Sequence, residues 1–231
     1  MSCILHIETS TSVCSVAVSE DSHVIYHAEE HTGEKGSAAE KLGTMVDEAL
    51  SFTDNHAIPF DAVAVSCGPG SYTGLRIGVS MAKGICFGRD LKLLAVPTLE
   101  LLCVPALLRE LVEEGALLCP MIDARRMEVY TAVYSGEGQR LTEVESKIIG
   151  PESFADELAK GEVLFVGDGA LKCKDVITHP NARFQEAFPL ARHMAKLAQK
   201  AFDEEKFENL AYFEPFYLKD FIATVSKKNL W

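Results

Sequence analysis

Residues 62–88, AVAVSCGPGSYTGLRIGVSMAKGICFG, decide the fold. Residues 62–66 are a short apolar run typical of a buried strand, and a glycine-rich turn at 68–74 leads from it into a predicted helix at 73–87. The helix is apolar on nearly every side, and such a helix must be buried. A strand that delivers a glycine-rich turn into a helix N-terminus presents unpaired amide groups to an anion. The glycines are equally well explained by a tight turn and close helix packing.

The glycine-rich turn is not a P-loop, because it lacks the Gly-Lys-Ser/Thr ending that supplies a lysine for a β-phosphate. Within the following helix, small residues recur at four-residue spacing, which lets another backbone come close. Two interpretations of this helix stay open: burial within the chain, and packing against a second protein.

The residues before this stretch predict the rest of the first half. Three strands are predicted at 3–8, 14–19 and 24–29, and short polar breaks between them indicate an antiparallel meander. Residues 38–50 place their apolar positions within an arc of roughly 140°, which predicts an amphipathic helix. A strand at 92–96 completes this half.

The second half is predicted to reuse strands and helices in a shorter pattern. Its predicted elements are helices at 99–114, 151–160 and 190–207, and strands at 117–122, 128–134 and 163–166. Thr98 is a candidate cap of the first of these helices, and Pro105 marks a kink or break in it. The sequence therefore predicts an α/β protein of two subdomains, residues 1–97 and residues 98–231, with the terminal segment packing back on the first.

Composition excludes several classes of protein. The chain has 231 residues, of which 48% are hydrophobic, so it can form a globular core. No apolar run approaches the roughly 20 residues that a membrane helix needs, and a soluble, cytoplasmic protein is expected. A net charge of −12 repels polyanions, so any nucleic acid is expected to bind only through a partner. The seven scattered cysteines indicate buried thiols rather than disulfides or zinc ligands.

Two turns carry candidate ligand-binding groups. Residues 9–12, Thr-Ser-Thr-Ser, put hydroxyls and amides at a hairpin tip that can hold a phosphate, although hydroxyl-rich hairpins are common. Residues 167–169, Gly-Asp-Gly, follow a strand and resemble the turn at which actin-like proteins contact adenosine, and a plain turn explains them equally well. A third turn, residues 123–126, is interpreted as a structural Asp/Arg hairpin without chemistry of its own.

Four segments in order along the chain resemble the TsaB family of actin-like proteins. They are GPGSYTGLRIG at 68–78, IETS at 7–10, IDARRMEVY at 122–130 and EPFYL at 214–218. The resemblance implies two actin-like (ASKHA, ribonuclease H-like) subdomains, each a mixed sheet flanked by helices. In actin-like ATPases the first strand ends in Asp, and here Glu8 replaces it, which would displace any coordinated magnesium and makes nucleotide hydrolysis doubtful.

The resemblance also implies a function. TsaB proteins are non-catalytic partners of the homologous subunit TsaD, which modifies the adenosine beside the anticodon with a threonylcarbamoyl group, and of the ATPase TsaE. The implied partners are thus a TsaD-like subunit, a TsaE-like ATPase, tRNA through the complex, and a second copy of the chain when TsaD is absent. Lys227 and Lys228 are candidates for touching tRNA in that complex.

The resemblance implies two sets of site residues. The nucleotide or phosphate set is Glu8, Thr9, Ser10, Gly68, Gly70, Ser71, Gly167 and Gly169. The partner-docking set is Leu42, Met45, Val46, Ala49, Ile77, Ser80 and Met81. No catalytic residue is expected. No metal ligand is expected either, because residues 36–50 lack the two histidines with which the catalytic homologue holds its metal. No cofactor is required, and nucleotide binding is restricted to weak ATP or ADP binding.

Two enzymatic alternatives were weighed. A glycoprotease needs a zinc site or a serine nucleophile elbow, and the sequence offers neither. An actin-like small-molecule kinase needs a second phosphate-binding loop with a catalytic Asp. The matching region, residues 96–115, is rich in leucine and lacks Asp.

Overall fold

The computed structural model describes residues 2–31, 38–109 and 111–219. The strands are β1 (Cys3–Glu8), β2 (Val13–Glu20), β3 (His23–His31), β4 (Ala62–Gly68), β5 (Lys92–Pro97), β6 (Leu117–Asp123), β7 (Glu128–Thr131), β8 (Tyr134–Ser135), β9 (Glu145–Ile148), β10 (Val163–Val166) and β11 (Ala182–Gln185). The helices are α1 (Ala38–Asn55), α2 (Tyr72–Arg89), α3 (Thr98–Leu108), α4 (Ala155–Lys160) and α5 (Ala195–Asp203), with 3-10 turns at Leu171–Cys173 and Ala191–Met194.

The first sheet has the strand order β3-β2-β1-β4-β5. β1, β2 and β3 form the predicted antiparallel meander, and β4 and β5 run parallel to β1. Because side chains alternate along a strand, β1 is buried on both faces. Cys3, Leu5 and Ile7 pack in the core that α1 and α2 cover, whereas Ile4 faces the core that α5 covers.

The second sheet repeats the topology of the first. Its main path is β9-β7-β6-β10-β11, in which β6, β7 and β9 are antiparallel neighbours and β10 and β11 run parallel to β6. The β6–β7 hairpin is therefore the counterpart of the β1–β2 hairpin, and the turn after β10 is the counterpart of the turn after β4. The sequence shows no internal repeat, so this duplication is visible only in the fold.

Several elements differ from the sequence predictions. The predicted helix 151–160 begins only at Ala155, and the predicted helix 190–207 is a 3-10 turn followed by α5, which ends at Asp203. The helix α3 ends at Leu108 rather than at residue 114. After Leu108 the apolar positions give way to charged ones. The predicted strand 128–134 is divided, because Val133 leaves the β6 ladder and bonds instead to residues 141 and 142. β9 and β11 were not predicted. Each has only four residues, and their sequences ESKI and ARFQ show no continuous apolar pattern.

The last described segment returns to the first half. Met194 and Ala198 of the final helical segment lie in the core beneath the first sheet. Farther on, the Lys83 ammonium donates to the carbonyl of Phe213 at 3.1 Å, and the amide of Phe216 donates to the carbonyl of Cys67 at 2.7 Å. Residues 195–217 therefore pack against the first half of the chain and contact both β4 and α2. All seven cysteines are free, and no helix in the described ranges is long and apolar enough to cross a membrane.

Candidate functional site

A cleft of about 640 Å³ lies where the two halves meet. The duplicated topology brings the same parts of each half to it: the β1–β2 and β6–β7 hairpin tips, and the turns after β4 and β10. Its walls are formed by Ser10, Thr11, Ser12, Gly70, Ser71, Tyr72, Thr73, Ile122, Asp123, Ala124, Arg125, Tyr130, Asp168, Tyr217, Leu218 and Lys219.

The polar groups of the first hairpin are used inside the protein. Glu8 is fully buried, and its Oε1 accepts hydrogen bonds of 2.5 Å from both the amide and the hydroxyl of Ser10. Thr9 Oγ1 donates to the carbonyl of Gly74 at 2.8 Å. Burial raises the pKa of Glu8 to about 7, against the lowering effect of its hydrogen bonds from Ser10. Thr9 therefore fastens the hairpin to the start of α2, and Glu8 holds the hairpin together through Ser10.

The glycines of the turn after β4 make this close approach feasible. A Cβ on Gly74 would lie 1.9 Å from the carbonyl oxygen of Thr9, and one on Gly70 would lie 2.5 Å from that of Ser10. Gly68 has a φ of +112° and faces the carbonyl of Phe216. Ser71 caps α2, because its hydroxyl accepts from the amide of Gly74 at 3.2 Å. Close backbone packing therefore requires Gly at positions 68, 70 and 74, whether or not a ligand binds.

The turn after β10 is packed in the same way. A Cβ on Gly167 would lie 2.1 Å from the carbonyl oxygen of Met121, and Gly169 lies against the backbone at Asp123. Between them, Asp168 faces the cleft and accepts a 3.0 Å hydrogen bond from the amide of Asp123. Burial raises the pKa of Asp168 to about 6.

The structure places only part of the predicted nucleotide set at the cleft. Ser10, Gly70 and Ser71 line the cleft. The other five members, Glu8, Thr9, Gly68, Gly167 and Gly169, hold segments of this chain together. The glycine spacing alone allowed either interpretation, and in the structure close backbone packing accounts for it.

Sequence reasoning missed the function of the 123–126 turn in building the cleft. The second phosphate loop of a kinase was predicted to match residues 96–115, but the topological counterpart of the first hairpin begins at Asp123. Its Oδ1 accepts from the amide of Arg125 at 2.7 Å and from the ammonium of Lys172 at 2.5 Å. A signal was present, since Ile122-Asp123 ends an apolar strand just as Ile7-Glu8 does.

Sequence reasoning also missed the aromatic side chains of the cleft. The rings of Tyr72 and Tyr217 lie 4.7 Å apart with a tilt of 37°, and the guanidinium of Arg76 lies 5.5 Å from the centroid of Tyr72. The ammonium of Lys219 lies 5.7 Å from the centroid of Tyr130 and pairs with Glu128. These tyrosines come from distant parts of the chain, and only the fold brings them together.

The structure corrects the predicted docking face on α1. Leu42, Met45, Val46 and Ala49 are at most 7% exposed and belong to the chain's own core. A charge at Met45 is therefore expected to unfold the chain as well as to affect docking. On α2, Ile77 and Met81 are half-buried and Ser80 is exposed.

The exposed face of α2 carries further residues that the prediction omitted. Phe87 is 85% exposed, and an added Cβ on Gly84 or Gly88 would meet no atom within 4 Å. Across the described ranges no group of three or more His, Cys, Asp or Glu side chains is placed to hold a metal ion. Lys227 and Lys228 lie outside the described residues.

Comparisons with known proteins agree with this architecture. The family model described as TsaD, tRNA N6-adenosine threonylcarbamoyltransferase, matches residues 35–227. The tRNA threonylcarbamoyladenosine biosynthesis protein TsaB of Escherichia coli K12 is 30% identical, with 95% of this chain and 96% of that protein covered.

Two solved structures from Pseudomonas aeruginosa are similar over the whole fold. One, an uncharacterized protein with similarity to peptidase YEAZ, has a TM-score of 0.78 at 27% identity and covers 95% of this chain and 100% of its own. The other, YeaZ, has a TM-score of 0.76 at 28% identity, with 94% and 100% covered. Together with the two mixed sheets flanked by helices, these matches confirm the predicted actin-like, two-subdomain α/β fold. The chain belongs to the TsaB (YeaZ) family.

Proposed function

We propose that this protein is a non-catalytic subunit in the biosynthesis of threonylcarbamoyladenosine on tRNA. The name of its Escherichia coli relative supports the pathway. In this proposal the chain binds and activates a homologous TsaD-like catalytic subunit, together with a TsaE-like ATPase, and works in the cytoplasm, where tRNA is modified and free thiols such as its seven cysteines persist.

The cleft supports a non-catalytic role. Glu8 and Thr9 lie behind the cleft lining, where the carboxylate of Glu8 accepts from Ser10 and the hydroxyl of Thr9 donates to Gly74, so neither is directed at a substrate. The described residues also offer no cluster of metal ligands. These contacts disfavour the kinase and glycoprotease alternatives, both of which need reactive groups that face a ligand.

The exposed face of α2 is the observation that carries the proposed docking. A helix-interior Gly is about 1 kcal/mol less favourable than Ala, and this chain's own packing does not require Gly84 or Gly88. With Ser80 they form a stripe of small residues at four-residue spacing, where the backbone of another helix can come close. Phe87, 85% exposed beside the stripe, supplies an aromatic anchor of the kind that dominates interface energies.

The proposed occupant of this face is the TsaD-like subunit. The TsaD family model covers residues 35–227, which include α1 and α2, so a TsaD-like partner is expected to present the equivalent pair of helices. Two such pairs related by an approximate two-fold axis would give a four-helix contact. The same geometry allows two copies of this chain to associate when the partner is absent.

Reconstitution tests the proposed function. Purified TsaD-like and TsaE-like proteins and the adenylate-forming enzyme are incubated with tRNA, with and without this chain, and threonylcarbamoyladenosine is quantified by mass spectrometry. We expect modification to require the chain and the chain to co-elute with the TsaD-like subunit. Equal modification without the chain, and no complex, would refute the proposal.

Interface variants test the docking face. Phe87→Glu and Gly84→Leu are expected to reduce affinity for the TsaD-like subunit at least tenfold, because one introduces a charge and the other fills the space for the partner helix. Ile148→Glu is the matched control, since Ile148 is 76% exposed on β9, in the other half of the chain. Phe87→Glu and Ile148→Glu should keep the melting temperature of the wild type, and Gly84→Leu should not lower it. Unchanged binding by both α2 variants would place the interface elsewhere.

A further inference from the structure

The β6–β7 hairpin contains a local conflict between sequence and conformation. Arg125 and Arg126 have φ values of +72° and +52°, in the left-handed region that favours Gly, Asn or Asp. The conformation is held by the Asp123 carboxylate, which accepts from the amide of Arg125, and by Lys172, which donates to the carbonyl of Arg126 at 2.8 Å. An Asn-Gly pair would form this turn with less strain. Strained, over-determined residues of this kind cluster at functional sites.

Both arginine side chains are available to a ligand. Both are exposed; Arg125 lines the cleft, and Arg126 follows it in the same turn, outside the lining residues. In the described part of the chain no ion pair or hydrogen bond engages either guanidinium. The neighbouring carboxylates are engaged elsewhere: Asp123 by Lys172, Asp168 by the amide of Asp123, and Glu128 by Lys219. The uncompensated charge at this side of the cleft is therefore positive, although the chain as a whole carries −12.

The facing wall of the cleft offers aromatic surface. Tyr72 and Tyr217 form a tilted pair, Arg76 lies over the Tyr72 ring, and the hydroxyl-rich tip at residues 10–12 lies beside them. Stacked aromatic rings bind bases of any sequence, and arginine binds phosphate through a planar fork of N–H donors. A cleft of about 640 Å³ admits a nucleotide unit but not a duplex.

We propose that this cleft binds a segment of single-stranded RNA, with Arg125 and Arg126 on the phosphates and the Tyr72–Tyr217 pair against a base. The inference rests on the proposed function, which supplies RNA as the substrate, and adds a direct contact between this subunit and that RNA. Because the net charge of the chain repels a polyanion, binding by the isolated protein is confined to low ionic strength.

The test is fluorescence anisotropy of a labelled single-stranded oligoribonucleotide titrated with the full chain at several low salt concentrations. The double variant Arg125→Asn/Arg126→Gly should bind at least about tenfold more weakly, and the slope of log affinity against log salt should fall by about one to two. Arg183→Gln/Lys160→Gln removes the same charge from exposed positions away from the cleft and should bind within about twofold of wild type.

Thermal unfolding separates ligand binding from a structural role. The Asn-Gly turn removes the strain of the left-handed conformation, so the double variant should melt about 2–4 °C higher than wild type. Its affinity for RNA should nevertheless be lower. A variant that loses both RNA binding and thermal stability would show that the arginines are structural and would overturn the proposal. Wild-type affinity in the double variant, or no binding by the wild type at low salt, would overturn it as well.

Two further arms identify the ligand. Tyr217→Phe keeps the ring and should retain binding, whereas Tyr217→Ala should weaken it at least about fivefold. ATP should displace the strand poorly; displacement by ATP at lower concentration than by unlabelled RNA would assign the cleft to a mononucleotide instead. Co-elution of wild type with the TsaD-like subunit tests the proposed function separately, and the double variant should still co-elute.

Discussion

Replacing Glu8 with Gln is predicted to remove the fall in stability that ionisation of Glu8 causes as the pH rises from 5 to 7. Burial raises the pKa of Glu8 from its usual 4.5 to about 7 in the folded chain. Between these values the folded state holds a proton that the unfolded state has released, so stability falls as pH rises and levels off above about pH 7. The difference between the folded and unfolded pKa of Glu8 corresponds to roughly 3 kcal/mol of unfolding free energy.

The Gln side chain matches the neutral form of Glu8 in shape. Its Oε1 can accept from the amide and hydroxyl of Ser10 as the carboxyl does, and its amide group can donate toward Ser66. At pH 5 the variant and the wild type should therefore have nearly the same stability. At pH 8 the variant should be more stable, by up to roughly 3 kcal/mol, because it does not bury a charge.

Urea unfolding of both proteins at half-unit intervals from pH 5 to 8 measures this effect. The difference between the two profiles isolates Glu8, since Asp168 and the histidines titrate in both proteins. Parallel profiles would show that Glu8 is ionised throughout the range and that its hydrogen bonds outweigh its burial. Glu8→Ala serves as the packing control and should be less stable than Glu8→Gln at every pH.

Two further predictions concern the turns at the cleft. Gly74→Ala should destabilise the chain by about 3 kcal/mol or more, because its Cβ would lie 1.9 Å from the Thr9 carbonyl oxygen. Gly84→Ala on the same helix is the control and should stabilise the chain by up to about 1 kcal/mol. Equal melting temperatures of the two variants would contradict the packing described for the hairpin. Asp123→Ala removes the acceptor for the Arg125 amide and should lower the free energy of unfolding in urea by about 1–2 kcal/mol. Asp123→Asn keeps an acceptor oxygen and should lower it by less. Identical losses would show that the charge of Asp123, which pairs with Lys172, holds the turn and that its hydrogen bond does not.

The sequence predicted most of the first half because its signals are local. β1 is an almost uninterrupted apolar run, α1 has a clear amphipathic arc, and the glycine-rich turn marks where β4 passes into α2. β9 and β11 escaped prediction because each is four residues long and pairs through one neighbour at the edge of its sheet. Their position is set by tertiary pairing rather than by their own pattern.

The site was harder to predict than the fold because packing and ligand binding use the same residues. Gly68, Gly70 and Gly74 suit an anion-binding turn, yet each faces backbone of this chain within 2.5 Å of an added Cβ. The apolar arc of α1 suited a docking face, but Leu42 and Ala49 are fully buried against the first sheet. Apolar periodicity shows which face of a helix is covered. Only the fold shows whether this chain or a partner covers it.

The duplicated fold explains why the two hairpins at the cleft have different chemistry. In the first half the strand-end carboxylate of Glu8 turns inward and binds its own hairpin, which consumes the groups that could have held a phosphate. In the second half the strand-end carboxylate of Asp123 likewise binds its own turn, but the next two side chains are arginines that remain outside. In the proposed RNA complex, the exposed guanidinium groups of this second hairpin, and not the backbone amides of the first, would bind the phosphates.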